Sequence, residues 1–234
     1  MRSRNLVEKK RTKNTLNLNE QKLDNKDMAS LAQYEKLDGV VSLSLRNNQF
    51  DYHGVQDLAS SPYLKNLTSL NLMNNAVGDK GLLLLAESPN LSKLEYLNLE
   101  NTGITALGIL ALSQSPHLSR LKELNLSGND LREKGLRILA ESGNFKSLVK
   151  LRISGVPVGD PGFLALVKSN TLSQLEELEA MGNTITRKSL DALTTASKLA
   201  QLKKLDLRRN KLKEADLIFL ADAPKFQALE VLRF

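Results

Sequence analysis

Few of the side chains that usually do catalytic or metal chemistry occur in this sequence. There is no cysteine, and the two histidines are His53 and His117, so thiolate nucleophiles, thiolate metal ligands and disulfides are excluded. Acidic residues cluster at Glu176, Glu177 and Glu179, where paired carboxylates could act as general acid and base. However, lysines occupy the equivalent positions of the flanking segments, which lowers carboxylate pKa values. These residues predict no enzyme, no metal site and no cofactor.

The elements that would position any site come from an internal repeat. The segment Leu-x-x-Leu-x-Leu recurs every 27 residues. Its first positions are Val40, Leu67, Leu94, Leu121, Leu148, Leu175, Leu202 and Leu229. Counting back one period gives a degenerate copy from Lys13, of the kind that caps a repeat array. We therefore predict eight full repeats over 13–228, the first one capping, plus a ninth strand.

Each repeat changes its apolar period halfway. Leu70 and Leu72 alternate as in a strand with one buried face, whereas Leu82, Leu85 and Ala86 have the spacing of one helical face. We expect a glycine, as at position 81, to open the helix and a Ser-Pro pair to close it. A single repeat cannot bury its apolar face alone, so neighbouring repeats must stack.

An asparagine recurs at the ninth position of most repeats. It is found at Asn48, Asn75, Asn129, Asn183 and Asn210. A short amide there can bond backbone groups where the chain leaves the strand, and we predict a stacked ladder of such amides. The sixth repeat has Val156 instead, followed by Pro157, and we expect a locally altered turn there.

The consensus L-x-x-L-x-L-x-x-N-x-L-x-x-x-G-L-x-x-L-A-x-S-P-x-L-x-x resembles the ribonuclease-inhibitor-like class of leucine-rich repeats over all but the first dozen residues. Its Leu-Ala-x-Ser-Pro segment is similar to that of bacterial repeat proteins, including effectors injected into host cells. The resemblance implies an α/β fold: a right-handed leucine-rich-repeat solenoid, or horseshoe, with a parallel sheet on the concave face and helices on the convex face. It also implies a scaffold that binds a partner protein on the concave face.

The net charge of +7 belongs mainly to the start of the chain, where 2–13 contains six basic residues and one acidic residue. We expect residues 1–12 to be a basic, flexible lead-in and 13–234 to be a single domain. The lead-in lacks aromatic residues for base stacking and enough apolar residues for a membrane helix. Nucleic-acid or membrane association through it is therefore an alternative hypothesis rather than the leading one.

The sequence also favours a location. It has no secretory segment at its start and no apolar stretch long enough to span a membrane. Together with the missing cysteines, this favours a reducing, cytoplasmic environment, and the resemblance adds delivery into a host cell. We expect no small-molecule substrate, and a monomer unless the strand over 229–234 pairs with another chain.

Positions 2, 3, 5 and 7 of each repeat should face the concave side. In the N-terminal half these positions are mostly small and polar, and larger groups that suit a binding hot spot stand out among them. We predict partner binding at Arg46, Asn71, Met73, Tyr96, Asn98 and Glu100. The competing interpretation is that these side chains are simply solvated on a sheet face.

In the C-terminal half the concave charges alternate in sign from strand to strand. They define a second predicted patch formed by Lys150, Arg152, Glu177, Glu179, Lys204, Asp206 and Arg208. Either these charges neutralise one another across strands, or they orient a docking partner.

A further alternative is regulation of an enzyme such as a small GTPase, which one family with this repeat type performs. The acidic C-terminal tail of that family has no counterpart here.

Overall fold

The computed structural model describes residues 2–196, 198–221 and 229–234. In this part of the chain, strands alternate with helices. The strands are β1 (Arg11–Thr12), β2 (Thr15–Asn17), β3 (Ser42–Ser44), β4 (Ser69–Asn71), β5 (Tyr96–Asn98), β6 (Glu123–Asn125), β7 (Lys150–Arg152), β8 (Glu177–Glu179), β9 (Lys204–Asp206) and β10 (Val231–Arg233). The helices are α1 (Arg2–Lys10), α2 (Asn25–Ala32), α3 (Tyr52–Ser60), α4 (Gly78–Ala86), α5 (Ala106–Ser113), α6 (Arg132–Glu141), α7 (Gly159–Val167), α8 (Arg187–Ala196) and α9 (Glu214–Ala221).

The strands form one sheet in chain order from β1 to β10. From β2 onward all pairings are parallel and in register by one repeat, so that Leu70 lies beside Leu97. The predicted α/β leucine-rich-repeat solenoid, with its parallel sheet on the concave side, is confirmed. The last part of the eighth predicted repeat, 222–228, lies outside the described residues.

The core lies between the sheet and the helices. The strand residues Leu70 and Leu72 and the helix residue Leu82 are each 0% exposed, as their periodicity predicts. Stacking buries every repeat against the next, and each fully buried leucine contributes about 1.5–3 kcal/mol of hydrophobic stabilisation.

The predicted amide ladder is present. Asn129 donates from Nδ2 to the carbonyls of Leu99 (2.7 Å) and Leu126 (2.9 Å), and its Oδ1 accepts from the backbone N–H groups of Thr102 (3.2 Å) and Ile104 (2.9 Å). With a longer bond to the carbonyl of Ser127 at 3.3 Å, this buried side chain bonds five backbone groups of two adjacent repeats.

The altered turn expected in the sixth repeat is present: Gly159 has a φ of +58°, and Val158 N–H bonds to the carbonyl of Val156 at 2.7 Å. The third repeat has the same turn although it has its asparagine, so the missing amide is not its sole cause. Val156 is buried, and its N–H donates to Asn183 Oδ1 at 2.8 Å. The amide ladder of the next repeat therefore continues past Val156.

The helices begin earlier than expected. Helix α4 starts at Gly78, and Gly81 lies in its first turn because it serves packing rather than initiation. A Cβ on Gly81 would lie 2.7 Å from Val77 Cγ1, and one on Gly108 would lie 2.6 Å from Asp79 Oδ1. In the repeats that have glycine at this position, its missing Cβ lets the helix pack closely against its neighbours.

The Ser-Pro serines also join neighbouring repeats. Ser61 donates from Oγ to the carbonyl of Ala32 at 2.6 Å, and Ser88 bonds the carbonyl of Ala59 in the same way. Each serine satisfies a carbonyl near the end of the preceding helix, which has no partner within its own helix.

The expectation of a flexible lead-in over 1–12 is corrected. Residues 2–12 form α1 and β1, and β1 pairs antiparallel with β2. Val7 is 1% exposed and belongs to the core. Arg11 donates to the backbone carbonyls of Lys36 and Asp38. The segment therefore covers the first parallel strand as a cap, because buried apolar area and backbone pairing offset the cost of ordering it.

Candidate binding surface on the concave face

Two continuous rows of side chains cross the sheet on the face opposite the helices. The first row, from repeat position 3, is Thr15, Ser42, Ser69, Tyr96, Glu123, Lys150, Glu177, Lys204 and Val231. The second row, from position 5, is Asn17, Ser44, Asn71, Asn98, Asn125, Arg152, Glu179, Asp206 and Arg233. Because nine parallel strands lie about 4.8 Å apart, the rows extend over roughly 40 Å.

The asparagines of the second row are tied to the backbone. The Oδ1 atoms of Asn71 and Asn98 accept from the N–H groups of Met73 and Glu100, both at 3.0 Å. These bonds close a local turn where each strand ends. Asn98 is consequently only 6% exposed, so of the predicted contact residues it presents the least surface.

Arg46, Met73 and Glu100 follow the strand ends on three consecutive repeats, at repeat position 7. The Arg46 guanidinium bonds Glu20 at 2.8 Å, while its Nε is buried and has no hydrogen-bond partner among the residues that the structure describes. Glu100 Oε2 accepts from Asn125 Nδ2 at 2.9 Å. The structure therefore places the six predicted contact residues on one face, over adjacent strands.

The charges of the second predicted patch pair with one another. Lys150 and Lys204 both reach Glu177, at 2.5 and 2.8 Å. On the next row Arg152 donates to Glu179 at 3.0 Å. The remaining pair, Asp206 and Arg208, lies at 2.6 Å. All of these side chains except that of Arg152 line a recess of about 390 Å³.

These ion pairs lower the pKa of Glu177 in the acidic cluster. Hydrogen bonds from Lys150 and then Lys204 hold the pKa of Glu177 below its usual value of 4.5. The predicted direction is confirmed for Glu177. A carboxylate stabilised in its ionised form is poorly suited to donate a proton near neutral pH.

The histidines lie away from this face, as predicted. His53 is in the first turn of α3, where its Nδ1 lies 3.0 Å from Asp51, and His117 follows α5. Within the described ranges, no three His, Asp or Glu side chains are grouped so that they could hold a metal ion. No helix in the same part of the chain has the length and apolar character to cross a membrane.

Sequence reasoning missed one regularity beside the surface. The eighth position of each repeat has a positive φ: Glu20, Asn47, Asn74, Asn101, Gly128, Gly155, Gly182 and Arg209. Six of these residues are Asn or Gly, the types that tolerate left-handed backbone. Their recurrence at this repeat position could therefore have predicted the positive φ. This turn separates the concave rows from the amide ladder behind them.

Comparison with known proteins supports the fold. The Leucine Rich repeat family profile matches residues 63–86, 90–113 and 117–140. Among solved structures, internalin C2 from Listeria monocytogenes is 22% identical with a TM-score of 0.62, and the match covers 94% of this chain and 80% of that one. Internalin F from the same organism is 20% identical with a TM-score of 0.58, covering 89% and 50%.

A TDR receptor also matches, at 16% identity and a TM-score of 0.51, over 94% of this chain and 34% of that one. The chain thus spans half the length of internalin F and a third of the receptor. A search of curated protein sequences gives no match. Three repeats thus match the Leucine Rich repeat family, and the chain folds as a leucine-rich-repeat solenoid similar to those of bacterial internalins.

Proposed function

We propose that this protein is a non-catalytic scaffold whose concave face binds a partner protein. The observation that carries the proposal is the pair of uninterrupted side-chain rows across nine parallel strands. A surface of roughly 40 Å can accommodate a standard interface of about 800 Å² per partner.

The N-terminal half of this face is the proposed contact region. Tyr96, Met73 and Arg46 are half-buried and rise among small polar side chains, and tyrosine and arginine are frequent hot spots. Asn71, Asn98 and Glu100 complete the region. The second patch has fewer charges to offer, because Lys150, Arg152, Lys204 and Arg208 already have carboxylate partners.

Affinity capture tests the proposal. The wild-type chain and a Tyr96→Ala, Arg46→Glu double variant are used side by side on a eukaryotic lysate. The control is Leu107→Ala combined with Lys134→Glu, two exposed positions on the convex helices α5 and α6. We expect a protein that the wild type and the convex control retain and the concave variant loses. Equal retention by all three would overturn this placement.

The second patch is tested by reversing its charges. A Lys150→Glu, Lys204→Glu variant breaks both bonds to Glu177. If the patch docks the partner, affinity falls together with the melting temperature. If affinity is unchanged while the melting temperature falls, the patch only stabilises the sheet.

We further propose that the protein acts in a reducing cytoplasm, as an effector that a bacterium delivers into a host cell. The lack of cysteine and the bacterial style of the repeat support this proposal. A fusion to a cytosolic reporter enzyme, expressed in the source bacterium, should give signal inside infected cells. Signal confined to the bacterium would contradict delivery.

A further inference from the structure

The middle of the concave face carries an excess of negative charge. At the concave positions of β4 to β6 and their ends there are three carboxylates, Glu95, Glu100 and Glu123, and one ammonium, Lys122. Lys122 pairs with Glu95 at 2.9 Å. Two carboxylates therefore remain, although the whole chain has a net charge of +7.

These two carboxylates are weakly compensated. Within the described residues, the Glu100 side chain accepts a hydrogen bond only from the neutral amide of Asn125. Glu123 lies 3.9 Å from Arg152, but Arg152 is closer to Glu179, at 3.0 Å. Both carboxylates are thus able to accept hydrogen bonds from a cation of another molecule.

An aromatic ring adjoins them. Tyr96 is in register with Glu123 on the neighbouring strand, and Glu100 follows Tyr96 on the same repeat. A ring face beside carboxylates suits a guanidinium or ammonium group, because the cation can stack on the ring while the carboxylates bind its N–H groups. Guanidinium can also bond a carboxylate through two parallel N–H groups.

The same region contains a donor without an acceptor. Asn98 lies between Tyr96 and Glu100 and uses its Oδ1 on the Glu100 N–H. Its Nδ2 has no hydrogen-bond partner among the described residues, whereas the Nδ2 of Asn125 reaches Glu100. The Asn98 Nδ2 is not one of the buried unpaired side-chain atoms of the described residues, so it is accessible from the concave side. A ligand carbonyl can therefore accept from it.

We propose that the concave face at β4 to β6 binds an extended, basic segment of the partner protein. An arginine or lysine side chain of that segment lies against Tyr96 and pairs with Glu100 and Glu123. A backbone carbonyl of the segment accepts from Asn98 Nδ2. The inference rests on the proposed scaffold function and adds the chemistry of the partner. Nucleic acid does not fit, since its phosphates would meet the two carboxylates.

Side-chain NMR of the full chain tests the proposal. The probe is the peptide acetyl-Gly-Ser-Arg-Ser-Gly-amide, and the matched peptide replaces arginine with citrulline, which has a similar shape and no charge. We expect the arginine peptide to shift the Asn98 side-chain N–H signals and the Tyr96 ring signals saturably. The citrulline peptide should bind about tenfold more weakly, since it loses the charge-assisted bonds.

The variants are Glu100→Gln with Glu123→Gln, and a control Glu133→Gln on α6 at the convex side. The double variant should remove the preference for arginine over citrulline, while the control keeps it. Melting temperatures confirm that the variants are folded.

Equal binding of the two peptides, or an arginine preference that survives in the double variant, would overturn the proposal. The absence of any shift would overturn it as well. Failure of the scaffold proposal gives a different result. The wild type and the Tyr96→Ala, Arg46→Glu variant would then capture the same proteins from the lysate. If a partner is captured but neither peptide binds, the proposal of a basic segment fails and the proposal of a scaffold stands.

Discussion

Glu177 on β8 accepts a hydrogen bond from Lys204 on β9, Nζ to Oε1, at 2.8 Å. Lys150 on the other side of Glu177 makes a second such contact. The first row of the concave face therefore contains a carboxylate held between two ammonium groups, and its ionisation is coupled to folding.

This coupling predicts a pH dependence. The folded-state pKa of Glu177 is lowered, so its contribution to stability is complete above the unfolded value of 4.5 and is lost as the pH falls through the folded value. Glu177→Gln should lower stability at pH 7 by about 1 kcal/mol or less and make the decline below pH 4.5 shallower. Melting curves from pH 7 to pH 3 measure both effects.

The control for this experiment is Glu87→Gln, at the exposed C-terminus of α4. Its melting temperature should follow the wild type at every pH. If the Glu177 variant and the wild type lose stability in parallel below pH 4.5, the lysine bonds do not hold the carboxylate as inferred.

The amide ladder predicts a large effect of a small substitution. Asn129→Ala removes five hydrogen bonds to the backbone of two repeats and leaves buried groups unpaired, which should cost about 2–4 kcal/mol. Thr102→Ala removes the single bond from Thr102 Oγ1 to the carbonyl of Leu99 and should cost about 1 kcal/mol. Urea unfolding compares the two variants. A similar loss in the free energy of unfolding for both would mean that the ladder bonds do not contribute additively to stability.

Close packing of the helices predicts that a single methyl group is harmful at one glycine and harmless at another. Gly108→Ala would place its Cβ 2.6 Å from Asp79 Oδ1 and 2.9 Å from Ile104 Cγ2. We expect a loss of about 1–3 kcal/mol from this overpacking. Gly143→Ala, whose Cβ would meet nothing within 4 Å, should be neutral or slightly stabilising. Thermal unfolding that ranks the variants the other way would contradict this account.

The repeat period explains how much of the fold the sequence predicts. One spacing defines strand, turn and helix in every repeat. Where one repeat departs from the consensus, the other repeats still identify the pattern. Val156 shows the limit: its repeat has an altered turn, but the third repeat has the same turn and keeps its asparagine, so the missing amide alone does not predict it. Within the candidate surface, the rows follow from the spacing. The burial of Asn98 depends on the turn that its side chain closes, and the ion pairs depend on side-chain conformations.

The N-terminal helix was missed for a related physical reason. Its apolar content is limited to Leu6 and Val7, and a short helix of this kind has little stability of its own. Packing of Val7 into the core stabilises it instead. Charge composition alone could not reveal that packing.

This packing leads to a prediction that separates a cap from a flexible lead-in. Val7→Ala should lower the free energy of unfolding by about 1–2 kcal/mol, since two buried methyl groups are removed. Asn5→Ala on the exposed side of α1 should have almost no effect. Urea unfolding measures the two variants, and hydrogen exchange of the β2 amides reports whether the cap still covers that strand. If Val7→Ala proves as neutral as Asn5→Ala, α1 is not part of the folded core. The cap would then consist of the first repeat alone, as the sequence pattern predicts.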